Sequence, residues 1–140
     1  SMRISNLPPP MDEPPGKLLL IDDDTRLLTE MQTVLQRAGH MVQVSHNPLN
    51  SAQLLPLAEV ALVDYNMPGV NGEATVEWLR EVSVRKGYNL SFYLHTSDGQ
   101  AAPRFKTLGF DGVILKGGPL DSLPTQVARV LNMHRRSWKR

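Results

Sequence analysis

Asp22-Asp23, Asp64, Thr96 and Lys116 lie at or just beyond the ends of short apolar runs, at four widely separated points of the chain. Their types suit the handling of a phosphoryl group. Carboxylates gathered in one pocket repel each other and push a pKa upward. A Mg²⁺ ion relieves that repulsion, because it is a hard cation that takes oxygen ligands and keeps several waters. Held by two or three carboxylates, it bridges to a phosphoryl oxygen and takes up developing charge. Lys116 supplies a compact positive charge for a second phosphoryl oxygen, and Thr96 a hydroxyl donor for a third. A carboxylate can also attack phosphorus to form an acyl phosphate. Asp64 is the candidate for that role, since its run lies in the middle of the chain's strands with the others around it.

The elements that must position these residues are short and regular. Lys17 to Ile21 (KLLLI) reads as a buried strand ending in Asp22, Asp23 and Asp24. Apolar residues at 27, 28, 31, 34, 35 and 38 make a helical stripe that stops at Gly39, with Asp24 as its cap. Met41 to Ser45 is an alternating edge strand. Asn47-Pro48 opens a short helix with Leu49, Ala52 and Leu55 inward, ended by Pro56. Val60 to Val63 is the central strand leading into Asp64, and Pro68-Gly69 makes a turn after it. Asn71 caps a helix with Ala74, Trp78, Leu79 and Val82 on its inner face. Leu90 to His95 is the fourth strand, and His95 points to the opposite face from Thr96. A brief helix spans Ala102 to Leu108, and Val113 to Leu115 is the fifth strand. Asp121 caps a last helix carrying Leu123, Val127, Val130, Leu131 and His134 on one side. Strands alternating with helices predict an α/β fold: a five-stranded parallel sheet, doubly wound, (βα)5 and flavodoxin-like. All carboxyl ends of a parallel sheet lie on one edge, so the five side chains can converge there.

The succession IDD, then DYNMPGVNG, then HTS, then LKGGP resembles the receiver domain of bacterial response regulators, the chemotaxis-regulator fold. The resemblance covers about Lys17 to Arg136. It implies strand order 2-1-3-4-5 and a place in two-component signal transduction. By resemblance Asp64 is the phosphoacceptor, and Asp22, Asp23, Asp64 and the backbone carbonyl of Asn66 hold Mg²⁺. Thr96 and Lys116 then contact the phosphoryl group. The implied donor is a phosphohistidine on a sensor histidine kinase or a histidine phosphotransfer protein. Phosphorylation would switch a protein-interaction surface read by a downstream protein or a fused output domain, without direct contact to nucleic acid or membrane. The chain is then no enzyme beyond its own phosphorylation and dephosphorylation. Three positions depart from or mark the pattern. Gly117-Gly118-Pro119 stands where the family has proline directly after the lysine, and Val113 stands where it has a switch aromatic. Asp98 occupies a position that in this family affects the lifetime of the phosphoryl group.

Composition agrees with one domain. The chain has 140 residues, 41% hydrophobic and 21% charged, with net charge +1. That charge gives no field favouring nucleic acid or membrane. With no cysteine there is no disulfide, thiolate-metal or thiol chemistry, which fits a reducing, cytoplasmic setting. Residues 1–16 carry five prolines and read as a disordered leader, 17–136 as the receiver domain and 137–140 as a basic tail. Two other functions compete. A pseudo-receiver would keep the fold as an interaction module without phosphorylation. A haloacid-dehalogenase-type phosphatase would use Asp22 as nucleophile, but Arg26 stands where its motif needs Thr or Val.

Overall fold

The computed structural model describes residues 13–65, 67 and 72–138, and Trp138 in its backbone alone. Asn66, the Pro68-Gly69 turn and the Asn71 cap lie outside them, as do most of the leader and residues 139–140. Five parallel strands form one sheet in the order β2-β1-β3-β4-β5. They are β1 (Lys17–Ile21), β2 (Met41–Ser45), β3 (Val60–Asp64), β4 (Ser91–Thr96) and β5 (Gly112–Leu115). Helices α1 (Thr25–Arg37), α2 (Gly72–Lys86) and α3 (Leu123–Trp138) flank it. The expected α/β architecture and strand order are those observed.

Alternation along the strands builds two cores. Leu18 and Leu20 of β1 face α1 and α3, together with Leu62, Tyr93 and Ile114. Leu19 and Ile21 face the other side, with Val63, Phe92, Leu94 and the α2 residues Val76 and Leu79. A side-chain period of two divides consecutive leucines between the layers. Because both faces are covered, the central strands read as continuous apolar runs. Asp24 caps α1, its carboxylate accepting from the Leu27 amide at 3.0 Å.

The helical stretches differ from expectation in detail. Pro48–Leu57 is a 3-10 helix, capped by Asn47 as predicted, and it continues through Pro56. Its tighter turn buries Pro48, Ser51 and Leu55 and leaves Leu49 72% exposed. On α2 the inward face is Thr75, Val76, Leu79 and Ser83; Ala74 and Trp78 lie outside it. Between β4 and β5 only Ala102–Arg104 is helical, again 3-10, and turns lead on to Gly109. Pro103 sits in the first turn, where proline is tolerated, and buried Leu108 and Phe110 anchor the turns that follow. Asp121 lies within a 3-10 turn (Leu120–Ser122) rather than capping α3, and Ser122 Oγ bonds the Pro119 carbonyl at 2.6 Å.

The pole away from the strands' carboxyl ends is laced by one guanidinium. Arg135 of α3 donates to Glu13 at 2.7 Å, to both oxygens of Glu59, and to the carbonyls of Pro14 and Pro15. Three residues of the proline-rich segment, Glu13, Pro14 and Pro15, are thus tied to the domain. Burial would raise the Glu59 pKa, but the bonds from Arg135 and the Lys17 amide outweigh it and hold it low. Arg135→Met should strip charged hydrogen bonds from the largely buried Glu13 and cost about 2 kcal/mol. A denaturant midpoint shifted by that amount at unchanged slope is the check.

Candidate functional site

Four of the five strands place a predicted site residue at, or directly after, their carboxyl ends. Ile21 of β1 runs into Asp22, β3 ends on Asp64, β4 ends on Thr96, and Leu115 of β5 precedes Lys116. In register, Asp64 stands beside His95, and Thr96 beside Leu115. The Lys116 amide donates to the Thr96 carbonyl at 2.8 Å, which carries the ladder one residue beyond β5.

Carboxylate oxygens of Asp22, Asp23 and Asp64 lie within 4.8 Å of one another. Asp22 and Asp64 are buried, and Asp23 is open to solvent. The Asp22 amide bonds the Ser45 carbonyl at 3.1 Å, and its Oδ1 accepts from the Asp24 amide at 2.9 Å. The turn after β1 therefore fixes one oxygen of Asp22 and leaves Oδ2 facing the cluster. Lys116 Nζ sits 2.8 Å from that Oδ2 and 3.2 Å from Asp64 Oδ1. Among the described residues this ammonium is the one cation on the buried Oδ2, and its contact is an ion pair without good hydrogen-bond alignment. Burial alone would lower the Lys116 pKa, but the two carboxylates outweigh it and raise it above its ordinary value.

This donor set fits a hard divalent cation. Three carboxylates gathered this closely, two of them buried, are the oxygen donors that such an ion takes. A buried carboxylate oxygen with poorly aligned bonding is what such an ion would satisfy. Asn66, whose carbonyl is expected to complete the set, lies outside the described residues.

Thr96 is 1% exposed, and its hydroxyl oxygen accepts from the Asp98 amide at 3.0 Å. That bond leaves the hydroxyl proton able to donate. Asp98 turns back on its own loop, accepting from the Gln100 amide at 2.8 Å.

His95 is the residue whose surroundings the sequence left undetermined. Strand alternation puts it opposite Thr96, on the α1/α3 face. There it lies 6% exposed, without a hydrogen-bond partner among the described residues. Burial first, and the nearby Lys116 charge second, lower its pKa from 6.5 to about 4. The folded protein therefore refuses a proton that the unfolded chain takes up. The His95 contribution to stability is complete above pH 6.5 and is lost as pH falls from there towards 4, by roughly 3 kcal/mol in all. His95→Phe should flatten that acid limb, seen as a smaller loss of denaturation midpoint between neutral and mildly acidic buffer.

Known proteins place the chain in a family. Residues 18–128 match the response regulator receiver domain family. The transcriptional regulatory protein CpxR homolog of Haemophilus influenzae is 33% identical over 129 residues, covering 87% of this chain and 52% of that protein. The nitrate/nitrite response regulator protein NarL of Escherichia coli K12 is 33% identical over 110 residues, covering 75% of this chain and 50% of that protein. The chain thus spans about half the length of the curated relatives it matches. Among solved structures, the CheY-like receiver domain protein of Methanospirillum hungatei JF-1 superposes with a TM-score of 0.73 at 19% identity. That superposition covers 89% of this chain and 99% of the other. The family match, on a parallel sheet whose carboxyl edge gathers Asp22, Asp23, Asp64 and Lys116, makes this chain a member of the response regulator receiver domain family of two-component systems.

Proposed function

We propose that this receiver domain accepts a phosphoryl group on Asp64 from a phosphohistidine of a sensor histidine kinase or a histidine phosphotransfer protein. The observation that carries the reading is the meeting of three carboxylates with Lys116, from segments far apart along the chain. An Asp64 oxygen attacks phosphorus as the P–N bond to the donor imidazole breaks, and the imidazole leaves with the electron pair. Asp22, Asp23 and Asp64, with the Asn66 carbonyl, would hold Mg²⁺. When bound, that ion offsets the negative charge shared by carboxylate and phosphoryl oxygens. Lys116 turns its ammonium from the carboxylates to a phosphoryl oxygen, and Thr96 donates its hydroxyl to another. The phosphorylated domain then alters a surface read by a downstream protein or a fused output segment, as the length of its relatives suggests.

The test is incubation with acetyl phosphate or a phosphorylated histidine kinase, with Mg²⁺ or with EDTA. One phosphoryl group per chain, dependent on Mg²⁺, is the expected result. Many turnovers on phosphomonoesters would instead point to a phosphatase. No incorporation and no Mg²⁺ binding under strong donor conditions would point to a pseudo-receiver.

A further inference from the structure

A cleft of about 210 Å³ opens on the α1/α3 face, behind the phosphoryl site and sharing only Lys116 with it. Its walls come from Leu27 and Met31 of α1, Leu123 of α3, and the turn from Gly117 to Leu120. His95 lines it from the sheet. No other protein group among the described residues bonds the imidazole, yet its nitrogens are not sealed from the cleft. Water from the cleft is then the partner left to the imidazole, and a ligand with a matching polar group can take that water's place.

The lining also sets the ligand's charge. It holds no carboxylate, and its one cation, Lys116, is engaged with Asp22 and Asp64. An ion would therefore find no free counter-charge, so the occupant is uncharged. Size narrows the class further, because an apolar cavity of about 150 Å³ holds benzene. Gly117 has φ +94°, a backbone conformation that favours glycine. A Cβ at Gly117 would meet nothing within 4 Å, and one at Gly118 only the Ser122 hydroxyl at 3.9 Å, so this side of the cleft is open.

We propose that this cleft binds a free, uncharged aromatic molecule of one or two rings carrying a single hydroxyl or N–H group, which bonds His95 while its rings pack against Leu27, Met31 and Leu123. Such a ligand would sit directly behind Lys116 and could bias the phosphoryl site. The proposal does not depend on phosphorylation at Asp64.

Phenol and indole are the probes, titrated into the whole chain and followed by the His95 ring and Met31 methyl resonances. Saturable shifts of both are expected. Toluene, which lacks the polar group, and phenol on His95→Phe should each bind about fivefold more weakly. Leu27→Trp fills the cleft and should abolish binding, which keeps the test sound if His95→Phe is poorly folded. The proposal is overturned if neither probe gives saturable shifts up to its solubility, or if toluene matches phenol. Undiminished binding by Leu27→Trp also overturns it, as does a tyrosine-bearing peptide that binds where free phenol does not.

Discussion

Asp64→Asn is expected to bring phosphoryl incorporation from acetyl phosphate or a phosphorylated kinase down to background. The amide has the shape of the carboxylate but lacks the anionic oxygen that must attack phosphorus. The variant should fold. It keeps the size of a side chain that is 5% exposed, and it removes one negative charge from a site shared with buried Asp22. Asp23→Asn makes the useful contrast. Asp23 is the exposed member of the cluster, so its loss weakens the cation site without touching the nucleophile. Incorporation there should fall but recover as Mg²⁺ is raised. Labelling measured against Mg²⁺ for both variants distinguishes the roles. Recovery in Asp64→Asn at high Mg²⁺ would refute the assignment of the phosphoacceptor.

The second large effect is expected from Lys116→Ala. Its ammonium stands between two carboxylates whose side chains are 3% and 6% exposed. Removing one partner of a buried ion pair leaves charge uncompensated, at a typical cost of 3–5 kcal/mol. Lys116 is itself 19% exposed, so solvent reaches the gap and the lower end, about 3 kcal/mol, is expected. Mg²⁺ should restore most of the loss, because it neutralises the same oxygens. Denaturation in EDTA and in Mg²⁺ gives the comparison: wild type should gain less from the ion than the variant does. The variant should still take up a phosphoryl group at Asp64 when Mg²⁺ is present. Its change of shape with a beryllium fluoride mimic should be lost, since no ammonium remains to follow the phosphoryl oxygen. An unaltered response would remove Lys116 from the switch.

The strands and their order of use were legible because burial on both sheet faces writes itself as runs of Leu, Val and Ile. The runs stop abruptly at residues that cannot be buried without a partner. Helix faces were less legible. The prediction for Pro48–Leu57 assumed the α-helical period, whereas the 3-10 turn rotates Leu49 outward and Ser51 inward. Ser51 is tolerated there because its hydroxyl bonds Ser45 Oγ and the Asn47 carbonyl, a local competition that hydrophobic patterning does not register. On α2 the small polar residues Thr75 and Ser83 face inward, while Trp78, the largest apolar side chain, stays 37% exposed. Arg135, one of several basic residues near the C-terminus, gave no sign in sequence of its bonds to Glu13 and Glu59.

By itself the sequence determined the parallel α/β sheet and the chemical types along its carboxyl edge, since strand burial and connection handedness leave few alternatives. Tertiary structure alone decided that the Lys116 ammonium bridges Asp22 and Asp64, and that His95 has no hydrogen-bond partner among the described residues. It also decided that a cleft separates α1 from the turn after β5. Those facts depend on distances between segments remote in the chain, and such distances are set by how helices seat on the sheet. Local patterning specifies which face a side chain takes, but not what it meets there.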